Sequence, residues 1–228
     1  EFLGENGIRY FIVDTHLLRG GQAVGVYLDR FSALKRLWQN FEDQYRPAEE
    51  DIDKSPHRLY YAASREGLAP VAFFTRDPET GLQVWSGEHG YPGDGCYLDF
   101  HKKHFPGGHR YWRVTSAKAD LADKEVYNPD TVEARIRENA LHFKDLAKSI
   151  ASAEILGENT TPMICAPFDT ELFGHWWFEG PRFLYRVIKE VHADPDIELA
   201  TMGEYYDENP PVDIVSLPEG SWGKGGFH

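Results

Sequence analysis

The chain has 228 residues, enough to bury a substantial core as one large domain or two small ones without a metal or disulfide staple. Its formal net charge of −13 argues against a nucleic-acid surface, which needs a basic stripe to release counterions from a polyanion, and suits neutral substrates better than phosphates. No run is long enough for a membrane span and no secretory signal is visible, while Cys96 and Cys165 lack the spacing of a zinc or redox pair, so a cytoplasmic enzyme with reduced thiols and no cofactor is expected.

Glu1-Phe2-Leu3 reads as the middle of a helix, and Gly226-Phe227-His228 follows no terminating element, so the chain is expected to be a piece of a longer protein. Arg9 to His16 is a compact apolar run expected to form a buried parallel strand, with Asp14 and His16 alternating onto one face at its C-terminal end. Phe31, Leu34, Leu37, Trp38 and Phe41 have helical spacing, and the charged, proline-containing stretch Glu42 to Arg58 reads as a long surface loop or lid. Ala69 to Thr75 reads as a strand and Arg76 to Gly81 as a turn by composition. The glycine-rich Gly90 to Gly95 lacks a following Gly-Lys-Ser/Thr and reads as a structured loop.

Arg110 to Ser116 is expected as a strand. Pro129 to Ile155 is the clearest helix, with Asn128 as its N-cap, Pro129 at its first position, and Val132, Ile136, Ala140, Phe143, Ala147 and Ile150 on one apolar stripe. A strand over Pro162–Pro167 follows. A helix over Arg182–Val191 turns Phe183, Leu184, Val187, Ile188 and Val191 inward, and Ile197–Thr201 closes the series as a short strand. Strands alternating with helices imply an α/β architecture with a largely parallel sheet, whose functional groups gather at the strand C-termini.

Chemistry is densest in Ala166-Pro-Phe-Asp-Thr-Glu-Leu-Phe-Gly-His-Trp-Trp-Phe-Glu-Gly-Pro181. Asp169, just past a strand, is the leading candidate for a catalytic acid: cleaving an acetal needs a proton for the leaving oxygen and a second carboxylate opposite. Phe168, Phe173 and the tryptophans are expected to desolvate it and so raise its pKa. The bland alternative is that it caps the following turn. Glu171 reads as a partner that orients His175 or a sugar hydroxyl, and His175 reads equally well as structural or functional. Trp176 and Trp177 offer flat faces to a pyranose ring, and Trp85 and Trp222, in loop contexts beside glycine and serine, are further platforms. His101, His104 and His109 invite a metal reading, but the intervening lysines favour a solvated surface, and no metal site is expected.

The segment Pro167 to Pro181 closely resembles a conserved region of glycoside hydrolase family 57. Glu5 to His16, Gln83-Val-Trp-Ser86 with Gly90-Tyr-Pro-Gly-Asp94, and Leu217-Pro-Glu-Gly-Ser-Trp-Gly223 resemble the α-1,4-glucan branching enzymes of that family, in the expected order from end to end. The resemblance implies an incomplete (β/α)7 barrel, of which residues 1–228 would form a C-terminal portion lacking the N-terminal strands, with 29–58 as an inserted lid. It implies a retaining mechanism through a covalent glycosyl-enzyme, with Asp169 as general acid/base, Trp85 and Trp222 lining the glucan cleft, and the nucleophilic Glu upstream of Glu1. It also implies an α-glucan as partner and branching as the activity, with 4-α-glucanotransferase or α-amylase action, or glucan binding without catalysis, as alternatives. Two features depart from the pattern: residues 29–58 look longer and more charged than the corresponding loop, and Gly226-Phe227 stands where an Asp is expected before the His.

Overall fold

The computed structural model describes residues 2–18, 54–63, 71–86, 90–116, 118–155, 161–211 and 214–220. The expected helix over 31–41, most of the 29–58 segment, Trp222 and the 226–228 departure lie outside them. The elements, in chain order, are α1 (Phe2–Glu5), β1 (Tyr10–Val13), α2 (Thr15–Leu18), β2 (Tyr60–Ala62), β3 (Ala72–Thr75), α3 (Pro78–Trp85), α4 (Pro129–Ile155), α5 (Gly180–His192), α6 (Met202–Glu208) and β4 (Ile214–Val215). The chain divides into two compact units. The first comprises Glu1–Glu79, Ile150–Pro167 and Ala200–His228, and the second Thr80–Ser149 and Phe168–Leu199.

The first unit is built on a four-stranded open sheet of order β1-β3-β2-β4. β1 runs parallel to β3, with Tyr10 opposite Ala72 and Val13 opposite Thr75, and β2 runs parallel to β4. β2 is antiparallel to β3, so the sheet is mixed rather than largely parallel. The reason is chain length: Ala62 and Ala72 are joined by a connection shorter than the dozen or so residues a parallel crossover needs. All four residues of β3 are buried, as a central strand covered on both faces requires. Phe73 packs with Val13, Leu18, Tyr60 and Val215, whereas Phe74 packs with Leu59 and Cys165. Burial of each phenylalanine contributes roughly 1.5–3 kcal/mol.

Several expected strands are shorter than expected or are not strands. The Arg9–His16 run stops pairing at Val13, and Thr15–Leu18 turns into α2. Pro162–Pro167 is extended but makes one parallel bridge, Cys165 to Arg76, because its flanking prolines have no N–H to offer a ladder. Residues 197–200 are largely exposed and lead instead into α6, whose N-cap Thr201 forms a reciprocal capping box with Glu204. Arg76–Gly81, expected as a turn, holds the start of α3, opened by Pro78 at a position where the missing N–H costs nothing.

In the second unit one face of α4 (Val132, Ile136, Ala140) and one face of α5 (Phe183, Val187, Val191) enter a common core with Tyr91, Tyr97 and Trp177. Asn128 caps α4 by accepting from the N–H of Asp130 at 3.0 Å. The buried stripe of α5 is narrower than expected: Leu184 is half-buried and Ile188 is exposed, because both sit about 100° around the helix from Phe183 and Val187. Arg110–Ser116 forms isolated antiparallel bridges, Arg113 to Leu98 and Trp112 to Val126, in place of a strand. Thr115, at φ 60°, turns the backbone into the left-handed region and ends the pairing.

Candidate active site

Asp169 follows the extended Pro162–Phe168 stretch and stands at the N-cap of a single 3₁₀ turn, Thr170–Leu172. Its side chain makes no cap bond, so the capping alternative is not realised. The carboxylate is exposed, which corrects the expected enclosure: Phe168 and Phe173 pack on each other edge to face at 5.7 Å, and Trp177 points into the core. An exposed carboxylate beside an apolar wall is open to a substrate that covers it.

The next residues form a tight reversal. The N–H of Trp177 donates to the carbonyl of Leu172 at 2.8 Å, and that of Gly174 donates to the carbonyl of Trp177 at 2.8 Å. Gly174 makes this possible with a φ of 103°, a conformation that side chains disfavour. The reversal sends the two tryptophans to opposite environments. Trp176 is 47% exposed, while Trp177 is 1% exposed and lies 4.8 Å from Phe183 and 5.7 Å from Tyr97 between ring centroids. Trp177 is therefore a core residue and cannot be a sugar platform in this arrangement. Glu171 and His175 are both exposed on the same reversal; the Glu171 carboxylate forms no hydrogen bond to His175, whose ring instead meets Phe100 and Trp176 edge to face.

Trp85, the last residue of α3, and Trp176 line one cavity of about 790 Å³, together with Leu98, Asp99, Phe100 and Lys124. Its lining sets the aromatic faces of Trp85, Phe100 and Trp176 beside charged groups such as Asp99 and Lys124, a surface suited to a ligand with both apolar faces and hydroxyls. Sequence reasoning missed Phe100, Asp99 and Lys124, which lie far from Trp176 in the chain and carry no local motif. It also missed Glu179, which is fully buried at the start of α5. Burial is the largest influence on Glu179 and pushes its carboxyl up, against the Leu98 N–H donated at 3.0 Å and the neighbouring Tyr127 hydroxyl.

In the first unit, Asp14 at the C-terminal end of β1 accepts from His16 Nδ1 at 2.9 Å and from Arg76 Nη1 at 3.3 Å. Asp14 and His16 do meet, though through the β1–α2 junction rather than along a strand face. A second cluster there joins Ser55, His57, Asp77 and Glu154 beside a cavity of about 200 Å³. His57 Nε2 lies 3.0 Å from Asp77 Oδ2, its Nδ1 lies 3.3 Å from Glu154 Oε1, and Ser55 donates to Glu154 at 2.7 Å. Burial opposes the imidazolium, yet the two carboxylates together outweigh it and hold the His57 pKa above its ordinary value. Burial pushes the Cys165 thiol up to about 12, so it is an unreactive core thiol. Among the described residues no group of three or more His, Cys, Asp or Glu is arranged to hold a metal, and no helix is long and apolar enough to cross a membrane.

The chain matches no family model. Over its whole length it is 39% identical to the 1,4-alpha-glucan branching enzyme of Thermococcus kodakarensis, of which it spans 31%. Over 70% of the chain it is 33% identical to a probable 1,4-alpha-glucan branching enzyme of Mycobacterium tuberculosis, of which it spans 30%. The GH57-type branching enzyme from the archaeon Pyrococcus horikoshii matches all of this chain with a TM-score of 0.78 at 38% identity, over 35% of its own length. The alpha-amylase AmyC from Thermotoga maritima matches 97% of it with a TM-score of 0.74 at 31% identity, over 40% of its own length.

Proposed function

Because this chain belongs to glycoside hydrolase family 57, we propose that the whole protein is a retaining α-glucan-active enzyme, a 1,4-α-glucan branching enzyme that cleaves α-1,4 bonds and forms α-1,6 bonds. The observation that carries the reading is the 39% identity to a branching enzyme along the entire chain. In this reading residues 1–228 supply a C-terminal part of an incomplete (β/α)7 barrel, with 29–58 as an inserted lid. The setting is cytoplasmic glucan metabolism.

Asp169 is the general acid/base. Glucan covering the carboxylate withdraws it from water, the condition under which a carboxylic acid keeps its proton. The acid gives that proton to the glycosidic oxygen as the C1–O bond breaks, and a glutamate from outside this chain forms the covalent bond to C1. Asp169, now ionised, takes the proton of an acceptor C6 hydroxyl as that oxygen displaces the glutamate. Transfer rather than hydrolysis requires that water be kept from the intermediate, which is a task for the lid and the stacked aromatic faces. Trp85 and Trp176 are the platforms, and Trp222 is assigned to glucan binding by its match to the family's pattern. Glu171 and His175 hydrogen-bond sugar hydroxyls.

The likeness to an alpha-amylase at a TM-score of 0.74 favours a second reading, hydrolysis or disproportionation of the same glucan. Incubating the whole protein with amylose and counting linkages separates the two. Branching predicts new α-1,6 bonds with few free reducing ends, whereas reducing ends without branches support the amylase reading and overturn the branching one.

A further inference from the structure

The stacking face offered by Trp176 rests on a support built from residues far away in the chain. Its indole lies against Phe100 with ring centroids 4.3 Å apart and planes inclined at 37°. That tilted contact covers part of the indole, and at 47% exposure the ring remains open elsewhere. Phe100 is itself pinned through its neighbour. Asp99 is buried, and its Oδ1 accepts the N–H groups of His101 at 2.7 Å and Lys102 at 2.9 Å, closing a turn around Phe100. Its Oδ2 receives Lys124 Nζ at 2.7 Å, and the same ammonium donates to the carbonyl of Val114 at 2.7 Å. The outer side of Phe100 is flanked by Arg110 and Lys103, each 5.4 Å from the ring centroid. Asp99, Phe100, Lys124, Trp85 and Trp176 all line the same 790 Å³ cavity.

An exposed tryptophan without such backing samples several rotamers and loses that freedom when a ligand stacks on it; a backed ring has already lost it and binds more tightly. Lys124 and Asp99 have side chains 3% and 9% exposed, and a buried ion pair at this position fixes geometry more than it adds stability. We propose that Phe100 is a positioning residue for glucan binding, acting through Trp176, and that the Asp99–Lys124 pair holds Phe100 in that role. The inference rests on the α-glucan reading above and deepens it by assigning the support of one subsite.

The test uses the whole protein, with maltoheptaose as the probe in calorimetric titrations and amylose in kinetic assays. Phe100→Ala is expected to weaken maltoheptaose binding about tenfold, the equivalent of 1.4 kcal/mol, and to raise KM while kcat stays within about twofold. Phe100→Tyr restores both values. The double variant F100A/W176A binds no more weakly than W176A alone, because Phe100 has no effect once the ring it supports is gone. If F100A melts early, Phe100→Leu, which keeps bulk but loses the flat face, is read in the same way. Equal binding by wild type and the Phe100 variants, or losses that add in the double variant, overturns the inference alone. Wild-type protein that binds no maltoheptaose overturns the functional reading and the inference with it.

Discussion

Trp176 and Trp177 are consecutive in the chain, yet one packs at a tilt against Phe100 at the cavity wall and the other lies in the core between Tyr97 and Phe183. The Gly174 reversal separates them, and it separates their roles. Trp177→Ala is expected to cost about 3–5 kcal/mol of stability through the cavity it leaves. Trp176→Ala is expected to cost less, about 1–2 kcal/mol through its lost contact with Phe100, while weakening glucan binding. Urea unfolding paired with maltoheptaose titration of both variants checks this.

His57 gives the first unit a pH-dependent contribution. Its pKa is raised in the folded state by Asp77 and Glu154, which outweigh burial. The imidazolium's contribution is therefore complete below the unfolded value of about 6.5 and fades as pH rises through the higher folded value. His57→Gln should melt below wild type by a gap that is widest near about pH 6 and narrows toward about pH 9. A gap that stays constant across that range would contradict the ion-pair account.

Glu179 acts in the opposite sense. Burial raises its carboxyl pKa in the folded state, while in the unfolded chain it ionises near the ordinary glutamate value of about 4.5. The folded state thus binds more protons above that pH, and stability falls as pH rises through the folded value. Glu179→Gln keeps an acceptor for the Leu98 N–H without the buried charge. Its melting temperature should exceed that of wild type at neutral pH and converge with it in acid. A neutral-pH melting temperature below that of wild type would refute the assignment.

The parts of the fold legible in the sequence were those governed by local rules. Helix α4 begins at Pro129 as its cap indicates and continues through Ile155, the last residue described there, and Asp169 follows an extended run as expected. β2 and β4, of three and two residues, are too short to show a period. α3 begins inside an Asp-Pro-Glu-Thr-Gly stretch whose composition alone suggests a turn. The opposed fates of Trp176 and Trp177 depend on one positive φ at Gly174, and the contact of Phe100 with Trp176 depends on tertiary packing; neither leaves a trace in residue spacing.

The central claim is that Asp169 is the acid/base of a glucan-branching reaction, and replacing it with Asn in the whole protein tests it most directly. Turnover of amylose, read as new α-1,6 linkages, should fall by roughly 10²–10⁴-fold or more, as expected for the loss of a general acid/base. Maltoheptaose binding and melting temperature should stay close to wild type, since the exposed carboxylate makes no cap bond. Branching activity retained in full by Asp169→Asn would contradict the account.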